Sequence, residues 1–192
     1  MNTSDVLLSA VLQGLTEFLP VSSSGHLVIL HWFLGVKESI IFDIILHIGT
    51  LFAVIIYFWK DCISLLTSQR RLLGLILIAS LATFILGIFF KDFFEGLFQK
   101  PRFIGYSLIV TAILISIAAR VYKSFELPKK DPTIFDSLII GIAQGIAIIP
   151  GISRSGATIS AGFLRGVDKI QAFRFSLILS IPAIIGSLFF KF

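Results

Sequence analysis

The segment PVSSSG, residues Pro20–Gly25, breaks a chain that is otherwise mostly apolar. A second segment of the same kind, PGISRSG, occupies Pro150–Gly156. Irregular backbone at membrane depth is tolerated only where protein or a wet cavity surrounds it, so each break predicts a re-entrant hairpin of two short helices. The flanking apolar pieces are too short to cross a bilayer, which takes about 20 residues; they are Val6–Leu19, Leu27–Leu34, Leu138–Ile149 and Ala157–Leu164.

Composition indicates the class of protein. Of the 192 residues, 56% are hydrophobic and 14% are charged, whereas soluble domains carry about 25% charged residues. The sequence therefore predicts an all-α integral membrane protein that forms a single membrane domain over residues 1–192. The segments long enough to span the bilayer are Ile40–Trp59, Leu72–Phe90, Phe103–Ala119 and Ala172–Phe190.

The basic residues predict the orientation in the membrane. A net charge of +5 is assigned to the loops between spans, so no nucleic-acid partner is expected. One side of the predicted topology carries Lys60, Arg70, Arg71, Arg120, Lys123, Lys129, Lys130, Arg165 and Lys169, and the other carries Lys37, Lys91, Lys100, Arg102 and Lys191. The richer side is expected in the cytoplasm, which places the N-terminus and the first hairpin on the outer side.

The chain contains an internal repeat. A shift of 131 residues without gaps gives 11 identities over the 42 positions Asp5–Leu46. Hydrophobicity does not explain the identities that are polar or glycine; they include Asp5 with Asp136, Gln13 with Gln144, Ser22 with Ser153, Ser24 with Ser155 and Gly25 with Gly156. We therefore divide the domain into repeat one, residues 1–131, and a partial repeat two, residues 132–192.

The number of crossings predicts that the two repeats are inverted. A re-entrant hairpin returns to the side from which it entered, and three predicted spans separate the first hairpin from the second. This odd number places the second copy upside down relative to the first, an architecture whose site lies near the midplane between the copies. Repeat two stops after its first span, so it is expected to be truncated by about two spans.

Ionisable side chains at membrane depth are costly and usually functional. Glu17 follows Gln13 by one helical turn, so the two share a helix face. The pattern predicts a general acid or base, or a ligand of a divalent cation that is bound to the substrate. A carboxylate that tethers a neighbouring helix is the structural alternative.

The serines of the first break precede the second half of its hairpin. Serine is a good N-cap, which accounts for one residue of Ser22, Ser23 and Ser24 but not for all three. His26 lies one turn after Ser22, and a serine hydroxyl within reach of an imidazole forms a nucleophile–base pair. His47 and Asp43 share a face of the first full span, where a structural bridge and a functional role are equally good interpretations.

Arg154 is the strongest single indication of a ligand. It begins a predicted half-helix, whose N-terminus presents free N–H groups to anions, and a guanidinium binds phosphate in a bidentate way. Thr158, one turn further, adds a hydroxyl on the same face. Repeat one keeps the acid and the imidazole while repeat two keeps the arginine, which predicts chemistry on a lipid-borne phosphate or diphosphate held between the two half-helix N-termini.

Two stretches, QGLTEFLPVSSSGHL (Gln13–Leu27) and PGISRSGAT (Pro150–Thr158), closely resemble the signature motifs of the undecaprenyl-diphosphate phosphatase family, the bacitracin-resistance proteins. The likeness continues through Ala172–Gly186. It implies an enzyme of the bacterial cytoplasmic (inner) membrane that removes the terminal phosphate from the C55 isoprenoid diphosphate, regenerating the carrier lipid for cell-wall synthesis.

The resemblance also implies roles for individual residues. Ser23 or His26 attacks phosphorus or assists the attack, with water as the alternative nucleophile, and Arg154 stabilises charge on the phosphoryl oxygens. Glu17 and Gln13 hold Mg²⁺ or Ca²⁺ on the diphosphate or manage a proton. The expected substrate contacts are Gln13, Ser22, Ser24, Gly25, Ser153, Ser155, Gly156 and Thr158.

Three alternatives stay open at this point. The family is typically longer, so the chain is either a shortened variant or takes the missing wall from a partner. A homo-oligomer is one arrangement to be expected. A lipid-phosphate transporter or flippase would use the same inverted repeats and the same anion site. An inactive, truncated subunit is the third alternative.

Overall fold

The computed structural model describes residues 2–36, 40–98, 102–124 and 129–190. Within these ranges the protein is built from α-helices, and a single isolated β-bridge joins Lys130 to Val167. This agrees with the predicted all-α membrane class. The helices are α1 Thr3–Thr16, α2 Ser23–Leu34, α3 Ile40–Tyr57, α4 Trp59–Thr67, α5 Arg70–Phe89, α6 Lys91–Phe98, α7 Arg102–Ser124, α8 Ile134–Ile146, α9 Arg154–Leu164 and α10 Lys169–Phe190.

Three helices of the described residues are long and apolar enough to cross a membrane: Arg70–Phe89, Phe103–Ser124 and Lys169–Ser187. They correspond to the last three predicted spans. The first predicted span, Ile40–Trp59, corresponds to α3, which meets α4 at an angle of 68°, so the two helices together count as one span at most. The bend lies at Phe58, whose ψ of 22° departs from helical geometry.

Both predicted breaks separate helices in the structure. The first lies between α1 and α2 and the second between α8 and α9. In the first hairpin, Ser9 Oγ lies 3.1 Å from His31 Nε2, so α2 folds back along α1. In the second, a Cβ at Gly162 would lie 3.9 Å from Ile140 Cδ1. Ile140 and Gly162 are the residues that the shift of 131 pairs with Ser9 and His31.

The helix boundaries follow the same shift. α2 begins at Ser23 and α9 at Arg154, and each helix is followed by a glycine with positive φ, Gly35 at 64° and Gly166 at 73°. The first turns of α1 and α8 match as well. In α1, Asp5 accepts a hydrogen bond from the Asn2 N–H, and in α8, Asp136 accepts one from the Thr133 N–H. The two segments therefore share local structure as well as sequence.

The core forms where α5, α8, α9 and α10 meet. Ile140, Phe175 and Leu179 are buried there, against Ala79 of α5. α8 approaches α5 closely enough that a Cβ at Gly141 would lie 2.3 Å from the Ala79 carbonyl oxygen. Large apolar side chains cover the outside, Phe89 and Tyr57 among them, with about 80% of each exposed. An apolar exterior of this extent fits a surface that contacts lipid.

The predicted orientation stays a prediction. Of the five basic residues assigned to the outer side, Lys37, Lys100 and Lys191 lie outside the described residues, as do the side chains of Lys91 and Arg102.

Candidate active site

Helix α7 holds the tips of both hairpins. A Cβ at Gly25 would lie 3.1 Å from Leu108 Cδ2, and one at Gly151 would lie 2.9 Å from Ser107 Cβ and 3.0 Å from the Ile104 carbonyl oxygen. Gly151 also has φ of 87°, which side-chain-bearing residues rarely adopt. The glycines in the breaks thus allow two irregular segments to rest on the same stretch of one helix.

Hydrogen bonds fix the tips to α7 and to each other. The Thr111 hydroxyl donates to the Gly151 carbonyl oxygen at 3.4 Å and accepts from the Ser153 N–H at 3.1 Å. The Ser155 hydroxyl, from the second hairpin, donates to the Leu19 carbonyl oxygen of the first at 2.7 Å. Two segments more than 130 residues apart in sequence are thereby held in contact.

The carboxylate of Glu17 lies at the centre of this contact and collects donors from both repeats. Its Oε1 lies 2.5 Å from the Arg154 guanidinium. Its Oε2 accepts from the Ser23 hydroxyl at 2.5 Å and from Gln13 Nε2 at 3.0 Å. Gln13, Glu17 and Ser23 are all buried, and 17% of the Arg154 side chain is exposed. The acid, the hydroxyl and the guanidinium predicted from separate motifs therefore share one buried site.

The remaining predicted serines and glycines lie at the N-terminal ends of α2 and α9. Ser22 and Ser153 are the N-caps of α2 and α9, and their hydroxyls accept from the N–H groups of Gly25 and Gly156 at 3.3 and 3.0 Å. Ser22 has φ of 66°, the only positive value at a non-glycine residue in the described part of the chain. Such strain is concentrated at functional sites. Ser24 lies 3.4 Å from the Ser22 hydroxyl.

The histidines take different positions. His26 Nδ1 lies 2.8 Å from the Ser22 carbonyl oxygen, and His47 Nδ1 lies 2.7 Å from the Asp43 carbonyl oxygen. A carbonyl only accepts, so each of these Nδ1 atoms carries a proton. The Nε2 of His47 lies 3.8 Å from Glu17 Oε2. No contact between His26 and Glu17 is recorded among the described residues.

Thr158 faces the protein interior. Its hydroxyl bonds to the carbonyl oxygens of Arg154 and Ser155 in its own helix and lies 2.6 Å from the Ser176 hydroxyl of α10. The side chain is 1% exposed. The structure therefore gives Thr158 a local role in supporting the first turn of α9.

The oxygen atoms near Glu17 fit a divalent cation that takes most of its ligands from a diphosphate and from water. Gln13 Oε1 is buried and has no hydrogen-bond partner among the described residues. In the same part of the chain no three His, Cys, Asp or Glu side chains are grouped to hold a metal. One carboxylate and one amide oxygen suit Mg²⁺, which is usually held by one or two carboxylates together with substrate phosphates and several waters.

Sequence reasoning left two residues of this site aside. The sequence is compatible with both a structural and a functional role for His47, because its proximity to Glu17 depends on how α3 is rotated about its axis. Thr111 lies within an apolar span, and the sequence pattern assigns it no role. Its hydroxyl in the otherwise apolar run LIVTAIL, residues 108–114, is the one signal that points to it.

Comparisons with known proteins bear out the resemblance. A family model described as "Bacitracin resistance protein BacA" matches residues 6–192. The chain is 41% identical over 207 residues to an undecaprenyl-diphosphatase of Methanosphaera stadtmanae, covering 96% of this chain and 74% of that protein. It is 43% identical over 191 residues to that of Halothermothrix orenii (97% and 73%), and 42% identical over 212 residues to that of Alkaliphilus metalliredigens (100% and 77%). The match runs through both hairpins and the residues that meet at Glu17, and the chain belongs to the bacitracin resistance protein family.

Proposed function

We propose that this chain is an undecaprenyl-diphosphate phosphatase. It hydrolyses undecaprenyl diphosphate to undecaprenyl phosphate and inorganic phosphate, which recycles the lipid carrier for cell-wall synthesis and confers bacitracin resistance. The observation that supports this most directly is the buried contact of Ser23 and Arg154 with the two oxygens of one carboxylate, Glu17. A site that only transported the lipid would have no need of an activated hydroxyl.

Binding begins with the anion. The diphosphate lies at the N-terminus of α9, where the Arg154 guanidinium and the first amides of the helix face it. The cap Ser153, with Ser155 and Gly156 of the first turn, shapes this end, and Ser22, Ser24 and Gly25 shape the corresponding end of α2. Because the Arg154 guanidinium already forms an ion pair with Glu17, the incoming phosphate competes with that carboxylate for Arg154.

This competition prepares the nucleophile. Once the phosphate has drawn Arg154 away, the Glu17 carboxylate becomes more basic and takes the proton of the Ser23 hydroxyl. Ser23 Oγ forms a bond to the terminal phosphorus, the bridging P–O bond breaks, and undecaprenyl phosphate leaves with the electron pair. Water then attacks the phosphoserine, the Ser23 Oγ–P bond breaks, and Glu17 returns its proton to Ser23 Oγ while inorganic phosphate leaves with the oxygen of the water. Arg154 stabilises the charge on the phosphoryl oxygens during both steps.

Two further groups complete the proposed site. His26, held through Nδ1 at the N-terminus of α2, assists proton transfer through Nε2. Gln13 Oε1 and Glu17 would hold a divalent cation together with the diphosphate. Bound Mg²⁺ or Ca²⁺ would neutralise charge on the phosphate oxygens.

The setting in the membrane belongs to the same proposal. The two hairpins are re-entrant and belong to inverted repeats, so that one enters from each side and both tips meet near the midplane. The protein resides in the bacterial cytoplasmic membrane with its N-terminus and first hairpin opening outward. The matched caps and hairpin contacts of the two repeats support this arrangement.

Phosphate release from a C55 or C15 isoprenyl diphosphate tests the function. We expect the purified protein in detergent to release inorganic phosphate with Mg²⁺ or Ca²⁺ and to stop when a chelator is added. Lipid movement across vesicles without phosphate release would replace this proposal with transport. Phosphate release that persists in the presence of a chelator would show that the proposed reaction needs no divalent cation.

A further inference from the structure

A groove separate from the catalytic site runs between α5 and α8. It has a volume of about 490 Å³. We call it the α5–α8 groove and define it by Arg70, Arg71, Gly74 and Ile78 of α5 and Ile134 and Phe135 of α8. It combines cationic groups at one end with walls that are apolar apart from Thr133. Neither Glu17 nor Arg154 lines it.

The two arginines of this groove differ from the other arginines near them, which are held in ion pairs. Arg165 is paired with Asp136, and Arg174 is paired with Asp61. Arg70 and Arg71 are exposed, and no ion pair to either is recorded within the described residues. The lining of the groove includes no acidic side chain in the described part of the chain. Two guanidinium groups are thus free to bind an anion.

The position of these arginines along α5 fits the headgroup region of a bilayer. α5 is a candidate span of 20 residues, which corresponds to about 30 Å, the thickness of the hydrocarbon core. Arg70 and Arg71 form its first turn, so they lie where the core ends. Gln69, the residue that precedes α5, makes no side-chain cap, so the first amides of the helix add to the positive end of the groove.

The apolar walls of the α5–α8 groove favour a lipid over a soluble anion as its ligand. Ile134 and Phe135 are 66% and 58% exposed, and apolar surface of this kind gains nothing from inorganic phosphate. We propose that the α5–α8 groove binds an anionic phospholipid, with the lipid phosphate at Arg70 and Arg71 and an acyl chain along Gly74, Ile78, Ile134 and Phe135. Basic pockets between membrane helices bind anionic headgroups through this combination of charge and apolar contact. The site is independent of the proposed hydrolysis.

Native mass spectrometry of the full chain in detergent tests the proposal. The protein is mixed with phosphatidylglycerol or with phosphatidylcholine of identical acyl chains, and the retained lipid is counted. We expect phosphatidylglycerol to be retained in preference, and the double variant Arg70→Gln/Arg71→Gln to retain it about thirtyfold less. The matched control Arg120→Gln/Lys123→Gln removes two exposed charges from α7 and should retain the lipid as the unmodified chain does.

A second pair of variants tests the apolar part. A Cβ at Gly74 meets no atom within 4 Å, so Gly74→Leu extends into the groove without disturbing the helix and should displace the lipid. Gly105 of α7 is equally open, and Gly105→Leu should have no effect. Equal retention of the two lipids would overturn the proposal. So would equal losses in the α5 and α7 double variants, or full retention by Gly74→Leu.

Discussion

The Arg154 guanidinium lies 2.5 Å from Glu17 Oε1, although 137 residues separate them in sequence. The two side chains come from different hairpins, and each sits next to a break in its own repeat. Their pairing neutralises both charges in a buried site, where an unpaired carboxylate would be costly. A phosphorylated substrate therefore meets a guanidinium that is already positioned but engaged.

Arg154 is expected to act through the geometry of its guanidinium as well as through charge. Arg154→Ala should abolish phosphate release. Arg154→Lys keeps the charge but loses the planar, bidentate fork, and we expect kcat to fall about a hundredfold. Steady-state phosphate release in detergent measures both variants. Full activity of Arg154→Ala would disprove the proposed binding of the phosphoryl oxygens by Arg154.

Ser23 is expected to be the one essential hydroxyl of the first break. It is the serine that donates to Glu17, whereas the Ser24 hydroxyl lies 3.4 Å from the Ser22 hydroxyl. Ser23→Ala should lower kcat by at least about a thousandfold, and Ser24→Ala is the matched control with small effect. A phosphoserine trapped at Ser23 by rapid quenching would establish the attacking atom. An active Ser23→Ala would leave His26 or water as the nucleophile.

His47 is expected to position the Glu17 carboxylate. Its Nε2 lies 3.8 Å from Glu17 Oε2, so the ring orients the acid from the α3 side. His47→Leu should lower kcat about tenfold, with partial recovery in His47→Gln, which keeps a polar group. His26→Leu, measured beside it, tests the imidazole at the N-terminus of α2. Unchanged kcat in His47→Leu would assign that residue a structural role only.

Thr111 should matter to catalysis although it is remote from the reacting atoms. Thr111→Val keeps the shape but leaves the buried Gly151 carbonyl and Ser153 N–H without their partner, a loss of about 1–3 kcal/mol for each buried group left unpaired. Because Ser153 caps the helix that begins at Arg154, kcat should fall about tenfold. Thr67→Val removes an exposed hydroxyl that bonds only within its own helix and should have no effect.

Asp136 should make stability sensitive to acid. It lies in the first turn of α8, outside the candidate spans. Burial by itself raises the pKa of Asp136, but hydrogen bonds from Lys130, Thr133 and Arg165 outweigh burial and lower the pKa from 3.8 to about 2. The folded state thus binds fewer protons than the unfolded state. The resulting stabilisation, about 2 kcal/mol, is complete above pH 4 and is lost as the pH falls towards 2.

Thermal unfolding in detergent measures this effect. Asp136→Asn should lower the free energy of unfolding at pH 7 by about 2 kcal/mol and should flatten the acid dependence. Asp5→Asn is the matched control from the first repeat, since Asp5 accepts from the Asn2 N–H and has no recorded cation partner among the described residues. Equal losses in the two variants would contradict the assigned role of the Lys130 and Arg165 pairs.

The sequence predicted those parts of the fold and site that local patterns determine. Proline, glycine and serine mark the breaks, so both hairpins and the starts of α2 and α9 could be placed in advance. The spacing of Gln13 and Glu17 predicted their shared face, and the repeat predicted that Arg154 would meet the first hairpin. In each case the signal lies within a few residues or in a register between two segments.

What could not be predicted depends on how helices are rotated and bent against one another. The bend at Phe58 occurs without proline or glycine, so no local residue announces it. The approach of His47 to Glu17 requires the rotation of α3, and the contact of Thr111 with Gly151 requires the path of α7. Long apolar segments have weak periodicity, which hides the face that each helix turns to the protein.

The contact of α7 with both hairpin tips makes the site sensitive to the thickness of the surrounding bilayer. α7 has 23 residues, about 35 Å of helix, and the thickness of the hydrocarbon layer governs the tilt of such a segment. Because Gly25 rests on Leu108 and Gly151 on Ser107, tilting α7 would displace the two tips unequally and alter the gap between acid and guanidinium. The turnover rate should therefore follow acyl-chain length in reconstituted vesicles, so that membrane thickness becomes a variable of the chemistry.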